Sequence, residues 1–556
     1  MADSSLILIN RSFNRSLKFA PPVLAAALLF FISCNLKVPV ISSISPKIGR
    51  MGEIITLAGS NFGESQEESH VTIAGIEPTV SSYYLWQDNL IMVRVPEFGE
   101  SGLVYVHTRG RKSNGVLFSN LTSLPMPVEG EDLEFGPRIT SVSPQTGTPG
   151  TLITITGNNF GISKEGGGVF FSWDYESPSF NPYIVREPEF IEVSEAELGY
   201  VSWNSREIRV RIPDGAVSGQ VEVRTSHGRS RPVFFDVSGK SGNKNITDKR
   251  SYTVNYSVDI RVIEATRPNT LYLWTPKPVT SPSQRNVSIV SRSTEPFIEN
   301  HRGVSLFKLD NLGTVLNQSI NLSFSVDVYA VETEINPLSV RQETTPLSAM
   351  YTQSSDLIPA GDSVIKTTVN TITGREQNPY IKARMLYDWI LANIEIVKSL
   401  RSSSGNVTAA IEQKRADTYT AALLYTAMAR AAGIPCIPVT GVLIDRNGQT
   451  IRHYWTEFWL GGFGWVPVDP AMGAEAIPEF FADKEDSARY YFGNLDNQRV
   501  AFSRGEVVLT QIESRSRLVS HTQSFSLQNI WEEASGGLES YTSLWGDITI
   551  SGIYVH

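Results

Sequence analysis

Period-two alternation of apolar and polar positions runs through most of the chain. Ile153 and Ile155, Val221 and Val223, then Tyr252, Val254, Tyr256, Val258 and Ile260, and later Ile320, Leu322, Phe324, Val326 and Val328, place apolar side chains on one face of extended segments. That is the pattern of half-buried strands. The spacing turns helical after Asn378 and Pro379, an N-cap and N1 pair, where Ile381, Met385, Leu386, Trp389, Ile390 and Asn393 follow at helical intervals. A second helix, dense in Ala and Leu, is predicted from about Asp417 to Ala432 and is stopped by Gly433, Ile434 and Pro435. Strands resume over Ile437–Leu443, His453–Glu457 and Gly464–Pro470. The pattern predicts a mainly β chain with an α+β domain toward its C-terminus.

Within the first half the pattern repeats. Ile44, Ser45, Pro46, Gly52, Thr56, Gly59, Asn61, Phe62 and Gly63 recur 98 positions later as Val142, Ser143, Pro144, Gly150, Thr154, Gly157, Asn159, Phe160 and Gly161. Both copies close alike, with Val93–Pro96 echoed by Val210–Pro213. The Gly-x-Asn-Phe-Gly piece reads as a tight turn in which Gly59 and Gly157 supply φ > 0 while Phe62 and Phe160 plug a core. Residues 38–120 and 136–239 resemble IPT/TIG domains, which implies two Ig-like β-sandwiches. The second copy is longer around Trp173–Tyr200, and the extra length is expected to be a surface loop. Such a sandwich does not reveal a function by itself.

At 556 residues the chain is too long for one core. Linkers are expected at 121–135, around Pro125, Pro127 and an acidic cluster, and at 238–249, rich in Gly, Ser, Lys and Asn. A further antiparallel β domain is expected at 250–345 and the α+β domain at 350–510. Residues 511–556 carry strand-like alternation at Ile548, Ile550 and Ile553 but no assignment.

Charge and cysteine usage narrow the function classes. The first 33 residues hold Arg11, Arg15 and Lys18 before an apolar run from Pro22 to Ile32, too short to span a bilayer and of the size of a signal h-region. Cys34 follows directly, and only one other cysteine, Cys436, exists. The junction resembles a bacterial lipobox, with Phe31 where Leu is usual. The resemblance implies a cleaved signal at 1–33, a lipidated Cys34, membrane attachment through it, and a place in the cell envelope, periplasmic or surface-exposed. The formal charge of −9 and the scattered Lys and Arg leave no basic stripe, so nucleic acid is not expected as a partner. The seven histidines show no zinc-type spacing, and neither a metal nor a cofactor is indicated.

The C-terminal motifs carry the most specific chemistry. Arg430-Ala431-Ala432-Gly433-Ile434-Pro435, His453-x-Trp455-x-Glu457 and Gly464-Trp465-Val466-Pro467-Val468-Asp469-Pro470 resemble the transglutaminase-like superfamily, relatives of papain-type cysteine enzymes. The resemblance implies a thiolate at a helix N-terminus, a histidine base on one strand and an orienting aspartate on the next. His453 matches the base and Asp469 the orienting acid.

At the nucleophile the sequence departs from the family. Counting back twelve from Arg430, the cysteine position falls on Thr418, and Ala416 replaces the glycine usual two residues earlier. A threonine hydroxyl is far less acidic than a thiol, and catalytic threonines rely on a free α-amine that an internal residue lacks. Cys436 cannot stand in, because a helix of about 20 Å separates it from that position, and it is expected in the core. The expectation is a non-catalytic domain that binds a protein or cell-wall peptide. The competing readings are a peptidase or amidase using Thr418, or a water polarised by Asp417, Thr418 and His453, and a purely structural spacer in which His453 and Asp469 tie two strands together.

Overall fold

The structure is a computed structural model that describes residues 38–556 except 50–51, 67–68, 97–100, 121–135, 165–166, 174–188, 196, 239–240, 314–316, 342–345, 399–405, 478–483 and 522–523. Cys34 and the signal segment 1–33 lie outside the described residues. The chain divides into two compact units, 1–129 and 130–556.

The first unit is a sandwich of two sheets, antiparallel except where Ile48–Gly49 pairs in parallel with Val116–Asn120. One runs in the order Val40–Ser45, Ile54–Ser60, Leu90–Arg94, Tyr83–Gln87, and the other is built around Val116–Asn120, Gly102–Thr108 and His70–Ile73. The second unit opens with the same topology in the 98-residue repeat, Arg138–Ser143, Leu152–Asn158, Glu207–Arg211 and Tyr200–Trp203 forming the corresponding sheet. Phe62 and Phe160 are buried in the two cores. The turn works differently from the expectation at Gly59 and Gly157. The positive φ falls on Asn61 and Asn159, both at 61°, whereas a Cβ at Gly59 or Gly157 would stand 2.0 Å from the carbonyl oxygen of Val40 or Arg138. Those glycines are needed for close approach of backbone, not for handedness. Part of the Trp173–Tyr200 insertion is also ordered as structure, because Glu189–Glu192 adds an edge strand to Gly168–Trp173.

The segment expected as a second linker is mostly strand. β1 runs continuously over Gly242–Ala265 and pairs along its length with β2, Asn317–Ile335, in a register that sets Tyr252 opposite Val326, Val254 opposite Phe324 and Tyr256 opposite Leu322. All six are buried. The polar composition of 242–249 reads as linker, but an extended edge needs ladder partners rather than apolar side chains to persist.

Helices α1, Ser363–Thr373, and α2, Pro379–Asn393, begin with Asp362 and Asn378, whose side chains accept from two amides each at the first turn. α3, Thr418–Ala431, is buried on nearly every side, which explains its Ala-rich, weakly amphipathic sequence. It packs against a sheet of order β5-β4-β3-β6, where β3 is Cys436–Ile444, β4 Thr450–Leu460, β5 Gly464–Val468 and β6 Arg499–Arg504. Gly441 of β3 lies opposite His453 of β4, and a Cβ there would come 1.9 Å from the Val500 carbonyl oxygen on β6. Gly441→Ala is therefore expected to cost about 1–3 kcal/mol through overpacking. Urea unfolding followed by tryptophan fluorescence checks this, and a variant as stable as the wild type contradicts the packing.

The unassigned C-terminus returns to the preceding β domain. β7, Leu538–Trp545, and β8, Thr549–Val555, both pair with β1, while Glu532–Ala534 pairs with Thr270–Pro276. Its Trp531 and Ile548 join a core with Tyr252, Phe324 and, from the α+β sheet, Val442 and Phe502. The β domain and the α+β domain thus share apolar contacts across β3 and β6.

Candidate functional site

Strand alternation and the β4–β5 register bring two of the expected residues together. Thr456 lies opposite Val468, the last residue of β5, so Asp469, just past that strand, comes beside His453 within β4, and Asp469 Oδ2 accepts from His453 Nε2 at 2.7 Å. Both are fully buried. The Asp469 carboxylate has two further obligations. Its Oδ1 accepts from the Met472 amide at 3.0 Å, capping the short helical turn Pro470–Gly473, and its Oδ2 also accepts from Arg499 Nη1 at 2.8 Å.

Arg499 is the residue that sequence reasoning missed. From β6 its guanidinium also reaches Asp496 Oδ2 at 2.6 Å, and Tyr491 donates to the same carboxylate at 3.0 Å. Arg499 lies 5.0 Å over the Trp455 ring, which in turn stacks on His453. Burial pushes the Asp469 carboxyl upward, but the charges and hydrogen bonds of His453 and Arg499 outweigh it and hold it at about 2. The available signal was an arginine in a strand whose neighbours in sequence are apolar, since a buried cation requires a carboxylate.

Because Asp469 is held ionised, His453 Nε2 is the donor in that bond, and Nδ1 is the remaining acceptor if the ring is neutral. His453 Nδ1 is buried without a hydrogen-bond partner, as is Trp455 Nε1. Trp455 and Trp465 are both core aromatics.

Thr418 is the first residue of α3, with Asp417 as N-cap accepting from the Thr420 amide at 2.8 Å. No hydrogen bond joins Thr418 to His453. Instead Thr418 lines an open cleft of about 470 Å³ together with Lys398, Asp417, Arg452, Tyr454 and Asp547. Cys436 lies past the opposite end of α3, fully buried, where burial drives its thiol up to about 12. It is a core thiol. Among the described residues there is no group of three or more His, Cys, Asp or Glu side chains placed to hold a metal, and no helix is long and apolar enough to cross a membrane.

The family model described as the transglutaminase-like superfamily matches residues 366–470, and that of the IPT/TIG domain matches 39–123 and 137–174. An uncharacterized protein of Haemophilus influenzae is 32% identical over 174 residues, a match covering 26% of this chain and 46% of that protein. This chain therefore spans about half the length of that relative. A structure from Cytophaga hutchinsonii, described as a candidate cysteine protease, aligns at 15% identity over 56% of this chain and 92% of its own, with a TM-score of 0.34. The periplasmic domain of TgpA from Pseudomonas aeruginosa aligns at 13% identity over 42% and 92%, with a TM-score of 0.25. The two family matches show that this mainly β chain carries IPT/TIG Ig-like structure in its N-terminal half and a transglutaminase-like domain in its C-terminal half.

Proposed function

We propose that this chain is a lipid-anchored cell-envelope protein whose transglutaminase-like domain binds a protein or cell-wall peptide without cleaving it. The observation that carries the reading is the pairing of an open cleft at the N-terminus of α3 with a threonine where the family places its thiolate. A cleft of that size holds several residues of an extended peptide. Catalysis by the family's route needs a thiolate there, and neither cysteine supplies one: Cys436 is inert in the core, and Cys34 is assigned to lipid by its sequence context. Membrane attachment rests on that same context.

Binding without turnover is tested by incubating the chain lacking residues 1–34 with soluble peptidoglycan fragments and model peptide amides. Retention of fragments on the immobilised protein, reduced at least tenfold by Thr418→Trp, which fills the cleft, is expected, with no product by mass spectrometry. Absence of any retained fragment or peptide sinks the reading.

A second reading, an enzyme that uses Thr418 or an activated water, draws on the unpartnered Nδ1 of His453, an acceptor of the kind a general base presents. Under that reading amide turnover is measurable and is lost in His453→Ala.

A further inference from the structure

One wall of the cleft comes from the far end of the chain. The turn between β7 and β8 sets Asp547 and Ile548 among the lining residues beside Thr418, Lys398 and Arg452. The turn is pinned: the Ile548 carbonyl accepts from Thr450 Oγ1 at 2.6 Å, and the Gly546 amide donates to the Ser257 carbonyl at 2.8 Å. Asp547 is held much more loosely. Its side chain is 76% exposed and meets Arg452 Nη2 at 2.6 Å, a partner itself 43% exposed. An ion pair so open to water contributes at most about 1 kcal/mol, so another anion can take its place at little cost.

The other charged groups are disposed unequally. The Asp417 carboxylate is engaged in capping α3. Lys398 lines the cleft and has no ion-pair partner among the described residues. Thr418, only 4% exposed, lines the cleft, and its hydroxyl has no hydrogen-bond partner among the described residues.

We infer that the cleft takes a carboxylate-bearing peptide, whose anionic group binds Arg452 and Lys398 in place of Asp547 while Thr418 donates to the bound chain. This rests on the peptide-binding reading above and adds the charge class of the ligand. The formal charge of −9 on the whole chain does not oppose it, because fields are screened within about 8 Å at physiological ionic strength; the lining holds two cations, Lys398 and Arg452, against two anions, Asp417 and Asp547, so the ligand's anionic group gains only by displacing Asp547. Asp547 acts as an internal competitor that keeps weak anions out.

The test is calorimetric titration of the chain with two N-acetylated tetrapeptides, one alternating Ala and Glu with a free C-terminal carboxylate, the other alternating Ala and Gln with a C-terminal amide. The acidic peptide is expected to bind about tenfold more tightly, the worth of one charge-assisted contact. Asp547→Asn should tighten the acidic peptide by about two- to fivefold and leave the neutral one unchanged. The double variant Lys398→Gln, Arg452→Gln should erase the preference. Both substitutions are at exposed side chains, and an unchanged thermal midpoint shows that the fold is intact. Equal affinity for the two peptides overturns the carboxylate inference and leaves peptide binding standing, whereas failure of both to bind overturns the two together.

Discussion

Replacing Asp469 with Ala is expected to lower the unfolding free energy by about 3–5 kcal/mol, the cost of removing one partner from a buried ion pair. The carboxylate is the hub of the network: it holds His453, Arg499 and the Met472 amide at once. Without it Arg499 keeps Asp496 but loses half of its countercharge, and His453 Nε2 joins Nδ1 as a buried group without a partner. His453→Ala should cost less, about 1–3 kcal/mol, because Arg499 still neutralises Asp469. Urea unfolding of the two variants checks the order, and a larger loss in His453→Ala would mean that Arg499 does not carry the charge balance. The same network has a pH signature. The Asp469 carboxyl is lowered from an ordinary 3.8 to about 2, so its contribution is fully present above pH 3.8 and disappears as pH falls toward 2. Asp496, also lowered despite its burial because of Arg499, loses its contribution in the same direction. Asp469→Ala should therefore show a shallower loss of stability on acidification below pH 4 than the wild type.

The division between what was legible in the sequence and what was not follows the range of the interactions. Period-two faces in β1 and β2, the N-cap Asn378, the helix start near Asp417 and the stop at Gly433–Pro435 are local, and each stands where the pattern puts it. The His453–Asp469 contact was readable only through a motif, because strand register is not visible in spacing alone. Arg499 and the role of residues 511–556 were not readable. Arg499 meets Asp469 across thirty positions, and β7 and β8 join β1 across nearly three hundred, distances over which a single sequence carries no pairing signal. For the same reason nothing in the sequence placed Asp547 in a cleft wall. The glycines of the repeat show the opposite error. Their recurrence was evident, but a glycine conserved between two copies can serve handedness or close approach, and only the backbone geometry at Gly59 and Gly157 separates the two.

Thr418→Cys is expected to make the cleft reactive toward thiol reagents. Position 418 is the first residue of a fourteen-residue helix, whose positive end favours a thiolate, and it opens onto solvent through the cleft. A pKa about one unit below that of an ordinary thiol would raise the thiolate fraction at pH 7 several-fold, so alkylation by iodoacetamide at residue 418 should run about five- to tenfold faster than for an unperturbed cysteine. Peptide mapping by mass spectrometry separates this site from Cys436, which should stay unmodified in the folded chain because its thiol is buried and held at about 12. The His453→Ala change in the same background then decides what the dyad is. Its imidazole Nδ1 is unpartnered in the wild type, and a cysteine brings a longer side-chain bond and a larger acceptor than threonine to the position that the family resemblance implies for the thiolate. If the rate at residue 418 falls severalfold when His453 is removed, the imidazole reaches the introduced sulfur and the site is a catalytic frame lacking one atom type. If the rate is unchanged, His453 and Asp469 serve only to join β4 to β5, and binding in the cleft does not depend on them. A residue 418 thiol as unreactive as Cys436 would contradict the open cleft itself.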